Sequence, residues 1–238
     1  MNNLLADMKT RGVAVARGAL PIAVVTTTRE TLRPRLAAID AQVAAQGPWA
    51  TAAREPRYVP TANSLRLDLD DVAPLRAALD AALGATLAAA LGAPHAWMPD
   101  QCWLRRQFAP AHARPPHAPH GWHQDGALGF DFLGGDPTAP DALLPMLTCW
   151  TPLVPCGADA PGLRYEPRRR ETLIGLADLA SPTAFEAPTL TPGDVILLHG
   201  GTLHATHATA DMTRDRLSVE LRCLPHDHPG RLHVARAV

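Results

Sequence analysis

Trp122-His123-Gln124-Asp125-Gly126 sets a histidine and a carboxylate two residues apart. In an extended strand, residues i and i+2 point to one face, so both side chains could reach one point in space. A neutral imidazole nitrogen and a carboxylate oxygen suit Fe(II), Mn(II) or Zn(II). One more histidine would complete a two-histidine, one-carboxylate face and leave three metal positions open. A candidate stands far downstream in Leu203-His204-Ala205-Thr206-His207, followed by Arg216-Leu217-Ser218. A His-x-Asp pair also recurs by chance on solvated strands, so its context has to decide.

The segments that must position these residues have two textures. Over 1–94 the chain reads as mainly helical. Residues 3–11 suit a short helix, and Val13 to Val25 an opening strand and turn broken at Pro21. Thr27-Thr28-Arg29-Glu30 has the capping-box form, ahead of Leu32, Leu36, Ile39 and Val43 at helical spacing. Gln46-Gly47-Pro48 ends that helix, and 49–63 reads as loop. Leu65, Leu67 and Leu69 alternate as in a strand; Asp70 and Asp71 then take an N-cap place with Pro74 in the first turn. Leu75, Leu79, Leu83, Leu87 and Leu91 recur every four residues until Gly92 and Pro94 stop the helix. Four-residue spacing drifts off a heptad seam, so this stripe reads as packing and not as a coiled coil.

From residue 95 short strand-like runs alternate with Pro/Gly loops. Strands are expected at Cys102–Phe108, around Trp122, at Met146–Leu153, Gly162–Glu166, Asp194–Leu198 and Arg216–Leu224. Ala109–His120 and Leu128–Leu144 read as connections, and Arg169–Ala180 as a helical turn or two. This predicts one α+β domain, with helices of the first third packed on one face of a sheet.

Composition narrows the function. The chain has 238 residues, 47% hydrophobic and 19% charged, with a formal net charge of −1. That is enough for a sizeable core and gives no electrostatic case for nucleic acid or an anionic membrane. Cys102, Cys149, Cys156 and Cys223 are dispersed without a C-x-x-C pair, which argues against a zinc ribbon and suits buried thiols of a reduced, cytoplasmic protein. Met1 to Thr10 lacks the pattern of a signal peptide, and no apolar run approaches the roughly 18 residues of a membrane span.

With its context, the motif resembles the Fe(II)/2-oxoglutarate-dependent dioxygenases of the phytanoyl-CoA dioxygenase-like superfamily. His123 and Asp125 match that family's early His-x-Asp. Thr191-Pro192-Gly193-Asp194 opens an apolar run to His199, as does the turn ahead of the family's distal histidine, here His204. Arg216 and Ser218 match the Arg-x-Ser on the strand after it. Gly162-Leu163-Arg164-Tyr165-Glu166-Pro167 is similar to the family's Gly-Pro-Leu-x-x-x-Pro region, although Arg168-Arg169-Arg170 stands where Gly-Ser-His often follows. The resemblance covers roughly 95–225. It implies a double-stranded β-helix of jelly-roll or cupin type, with Fe(II) on His123, Asp125 and His204, and 2-oxoglutarate and O2 as co-substrates. It also implies hydroxylation of a small molecule with release of succinate and CO2. Related halogenases carry a small residue at the metal-bound carboxylate, so Asp125 implies hydroxylation or a similar oxidation.

Arginine 216 offers a planar fork that matches a carboxylate bidentately, and Ser218 faces the same side of the strand. Gln107, Thr148 and Trp150 are further candidates for the co-substrate cavity, against a reading as ordinary strand packing. Trp122, the loop from Ala127 to Leu144, and Arg105, Arg106 and Arg164 are candidates for substrate contact. Alternatives stay open. His207 competes with His204 and Arg222 with Arg216; His199 reads as a strand histidine. His112, His117, His120, His226 and His228 read as solvated. A Zn or Mn cupin-like hydrolase or isomerase, or an inactive barrel with a binding role, are the rival functions.

Overall fold

The computed structural model describes residues 3–46, 64–112, 119–127, 143–175 and 179–228. The expected loop at 49–63, most of the Leu128–Leu144 connection, and His117 lie outside them. Asn3 accepts a hydrogen bond from Ala6 N (3.1 Å) and caps α1 (Leu4–Arg11). Strand β1 (Val13–Ala16) follows, then α2 (Ile22–Gln46). This helix starts earlier than the capping-box reading required. Val24 N and Val25 N donate to the Pro21 carbonyl at 3.0 and 3.3 Å, so the first turn forms on Pro21. Thr28 lies inside the helix and its hydroxyl donates back to Val24 O (2.9 Å).

Strand β2 (Ser64–Arg66) leads to a 3-10 turn, Leu69–Val72, and then α3 (Ala73–Leu91). Asp71 braces the turn by accepting from Asp68 N (2.9 Å), and Gly92 ends α3 in the left-handed conformation (φ 72°). The segment Leu69–Leu91 is long and apolar enough to cross a bilayer by length and composition. Its Leu75, Leu79, Leu83 and Leu87 are nonetheless buried in the protein core. Each such leucine contributes roughly 1.5–3 kcal/mol through burial.

The remaining strands are β3 (His95–Gln107), β4 (Leu147–Pro152), β5 (Gly162–Tyr165), β6 (Val195–His199), β7 (His204–His207) and β8 (Arg216–Pro225). β3 begins earlier than expected and is irregular between Trp97 and Cys102. The larger sheet is antiparallel, in the order β1-β6-β4-β8-β3-β2, and β5 and β7 form a two-stranded sheet. One core joins α1, α2 and α3 to one face of the large sheet, through residues such as Cys102, Leu104, Cys149, Leu197, Val219 and Leu221. A second core joins the other face, at Val13, Trp150, Ile196 and Leu198, to Leu163 and Tyr165 of β5. All four cysteines are buried free thiols. The helical turn expected at 169–180 does not form over the described part of that range. The Gln124 side chain instead bonds the segment, accepting from Ile174 N (2.7 Å) and donating to Thr172 O (3.1 Å).

Candidate metal centre

The His123–Asp125 pair is not on a regular strand. His123 makes a single antiparallel bridge to His204, and Asp125 opens a 3-10 turn, Asp125–Ala127. The bridge carries two backbone bonds, His123 N to His204 O and His204 N to His123 O, each 3.0 Å. It brings the two histidines side by side, with ring centroids 4.2 Å apart. The turn then swings Asp125 beneath them. Gly126 is required by what it touches: a Cβ there would lie 2.3 Å from Leu143 Cδ1 and 2.9 Å from Gly200 O. Gly200 meets it from the β6–β7 turn, and Gly126 N donates to Gly200 O at 2.8 Å.

One ligand atom from each of His123, Asp125 and His204 lies within 4.8 Å of the other two. His123 Nε2 is 3.9 Å from Asp125 Oδ1, and His204 Nε2 is 3.8 Å from Oδ2. Each Nδ1 faces a backbone carbonyl, Gly121 O at 2.8 Å for His123 and Thr202 O at 2.9 Å for His204. A carbonyl only accepts, so each Nδ1 carries the proton and each Nε2 keeps its lone pair for a metal. Burial, and next the neighbouring His204 and His120, hold the His123 pKa well below its ordinary value. The ring is therefore neutral at pH 7.

Asp125 is held at both oxygens. Thr148 Oγ1 donates to Oδ2 (2.6 Å) and Arg222 Nη2 to Oδ1 (2.7 Å). Burial alone would raise its pKa, but Arg222 and the other facing donors outweigh that and keep it ionised. Arg222 also donates through Nη1 to Gln101 Oε1 (3.1 Å). This ties Arg222 to the Asp125 carboxylate, while Arg216 also lines the cavity. Thr148, expected beside the co-substrate, lines the cavity and also orients the Asp125 carboxylate.

Beside the triad, β8 turns Arg216, Ser218, Glu220 and Arg222 to one face by strand alternation. The register pairs Gln107 with Arg216, and Thr148 with Arg222. Arg216 donates to Gly162 O (3.0 Å), and its guanidinium lies 5.3 Å from the Trp150 ring centroid. Arg216 Nε, Ser218 Oγ and Trp150 Nε1 are buried and bond no described residue. Unused buried donors are costly, and a cluster of them points to an acidic ligand group. They fit the remote carboxylate of a keto acid, while the neutral imidazoles and carboxylate fit Fe(II).

The cavity, about 220 Å³, is lined by the triad and by Gln107, Thr148, Trp150, Arg216, Arg105, Glu220 and His120, among others. His120 stacks on His123 with centroids 4.1 Å apart, so it belongs to the rim of the site. Trp122 and Arg164 do not line the cavity. Arg164 sits 4.9 Å from the Trp122 ring and 5.6 Å from that of Phe185, and Trp122 Nε1 donates to Ser181 Oγ (3.1 Å). Leu163 lines the cavity, so its neighbour Arg164 faces away by alternation. Arg106 lines the cavity and also pairs with Asp40 of α2, Nη1 to Oδ2 at 3.0 Å. His204 is buried while His207 is half-buried. His199 accepts from Gly201 N (3.1 Å) and shapes the β6–β7 turn. His112 pairs with Asp215 and His226 with Asp227.

Sequence reasoning missed Gln124 and Glu220. Gln124 braces the ligand loop, donating also to Gly201 O (2.8 Å). Glu220 was legible as one member of an alternation, Arg-x-Ser-x-Glu-x-Arg, which is unusual on a buried strand.

An antiparallel jelly roll with two histidines and an aspartate converging inside it defines a class of metal-binding barrels. The sequence matches the phytanoyl-CoA dioxygenase family over residues 8–215, and the chain belongs to that family. A search of curated proteins finds no match. Among solved structures, EctD from S. alaskensis, determined with 2-oxoglutarate and 5-hydroxyectoine, is similar with a TM-score of 0.67 and 18% identity, over 94% of this chain and 76% of that one. SnoK, a non-haem alpha-ketoglutarate-dependent carbocyclase from nogalamycin biosynthesis, gives 0.59 and 16% over 98% and 89%. SnoN, an epimerase from nogalamycin biosynthesis, gives 0.57 and 17% over 93% and 81%. These likenesses establish the jelly-roll fold.

Proposed function

We propose that the protein is a non-haem Fe(II)- and 2-oxoglutarate-dependent oxygenase that hydroxylates an unactivated C–H bond of a small molecule, releasing succinate and CO2. The observation that carries this is the three-ligand cluster beside a buried Arg-x-Ser with unused donors. His123, Asp125 and His204 would hold the metal. Arg216 and Ser218 would clamp the remote carboxylate of 2-oxoglutarate, with Trp150 and Gln107 walling it. When bound, the iron and keto acid supply activation of O2, coupled to decarboxylation of the keto acid.

The chain's own work is positional. The Gly121 and Thr202 carbonyls fix both histidine tautomers, and Thr148 and Arg222 hold the Asp125 oxygens. Trp150 and Leu163 keep an apolar wall beside Arg216, where a charge-assisted bond is stronger than in water. Hydroxylation is favoured by EctD, whose structure holds a hydroxylated compound with 2-oxoglutarate. SnoN and SnoK are named for other outcomes on a similar fold, so the placement of the substrate C–H selects the product.

The test is an anaerobic ultraviolet-visible titration of the apo-protein with Fe(II) and 2-oxoglutarate. A weak charge-transfer band in the visible range that requires both is the expected result. Bound metal without the band would refute the keto-acid role and favour a hydrolase-like use of the triad.

A further inference from the structure

The cavity continues past the triad to Ser64, Arg105 and Glu220. Glu220 is 13% exposed, in mid-strand on β8. Taking charges out of water costs several kcal/mol per ion, and a buried ion pair stabilises little more than an apolar pair of its size. Packing alone therefore does not call for a carboxylate here. Arg105 Nε and Arg222 Nη2 both donate to Glu220 Oε2, at 3.2 and 3.3 Å. Arg105 Nη1 donates to Ser64 Oγ, and the guanidinium lies 4.7 Å from the Trp103 ring, which fixes its plane. Among the described residues nothing bonds Glu220 Oε1 or Arg105 Nη2. The cavity thus presents an unused anionic acceptor beside an unused cationic donor.

We propose that Arg105 and Glu220 recognise the substrate, and that it is an α-amino-acid-like zwitterion whose carboxylate meets Arg105 and whose ammonium meets Glu220. The proposal rests on the oxygenase reading, because that reading assigns the other charges. Arg222 is matched by Asp125. Arg216 is reserved for the keto acid. Arg105 and Glu220 balance each other, so this end of the cavity is neutral. A purely anionic or cationic ligand would satisfy one of them and leave the other facing a like or absent charge in a poorly hydrated site. A zwitterion matches both.

The test uses the full-length protein with Fe(II) and 2-oxoglutarate under nitrogen. Formation of the charge-transfer band decides the oxygenase reading by itself. The standard α-amino acids are then added, each beside its N-acetyl form, which lacks the cation, and its methyl ester, which lacks the anion. Displacement of the band and the shift in melting temperature are both read. At least one amino acid should move both, and its two derivatives should bind about 10- to 100-fold more weakly, as expected for loss of one charge-assisted bond. Arg105→Gln should erase the discrimination against the ester, and Glu220→Gln that against the N-acetyl form. Retention of the band shows that each variant is folded. A band or melting temperature unmoved by the whole panel, or moved equally by parent and derivatives, overturns the proposal. If the band itself fails to form, the melting shifts alone judge the pair by the same criterion.

Discussion

The two faces of β8 make opposite use of one strand. Val219, Leu221 and Cys223 point into the core shared with the three helices, where they could be any well-fitting apolar residues. Arg216, Ser218, Glu220 and Arg222 point the other way, and all but Glu220 are as deeply buried as the apolar set. Burial is nearly equal on the two sides; what differs is whether the buried atoms are satisfied within the chain. The apolar face is complete without a ligand. On the polar face Arg222 is committed to Asp125, while Arg216 Nε and Ser218 Oγ have no described partner. Incomplete satisfaction, more than burial or charge, separates a site from a core.

Substitutions should break the two faces differently. The largest effect is expected at the metal. His204→Ala should abolish turnover and iron retention, read by metal content after desalting, with little change in circular dichroism; full activity would refute its ligand role. Leu221→Ala, on the opposite face, should cost about 2–5 kcal/mol in urea unfolding and leave the 2-oxoglutarate requirement unchanged. Arg216→Met should reverse that pattern. The 2-oxoglutarate KM should rise about 10- to 100-fold while the unfolding midpoint stays close, and an unchanged KM would move the clamp to another residue. The smallest effect is at His199, whose pKa burial depresses from its ordinary 6.5 to about 4. The native state then binds fewer protons than the unfolded chain between those values, so stability falls as pH drops from 6.5 towards 4. In the metal-free protein His123 tilts the slope the same way. His199→Gln should flatten part of that slope in urea melts taken across the range; an identical slope would mean other groups carry it.

Much of this is legible in the sequence because it is local. The four-residue leucine stripe predicts α3, and two-residue alternation predicts β8. The order of the His-x-Asp, distal histidine and Arg-x-Ser points to the family. What was not readable depends on tertiary contact. Thr27 to Glu30 has cap chemistry and points to a later start for α2, yet the chain turns on Pro21. Asp125 was expected on a strand because a spacing of two suits one. The structure uses a bridge and a 3-10 turn, which converge the side chains equally well. Trp122 adjoins the motif in sequence and Arg164 stands on β5, but alternation and the contact with Phe185 turn Arg164 outward. Ion pairs such as Arg222 with Asp125 join distant segments and leave no local periodicity.

The contact of Gly126 with Gly200 bears on how metal enters. The ligands belong to chain segments separated by a long stretch of sequence, and closing a loop of some 80 residues costs conformational entropy that grows slowly with length. Here the two glycines and the His123–His204 bridge have already closed it by backbone contact. Loop closure is thus charged to folding, and the ion arrives at a docked set of ligands. Metal should therefore enter without waiting for a folding step, and leave the same backbone behind when it is chelated away.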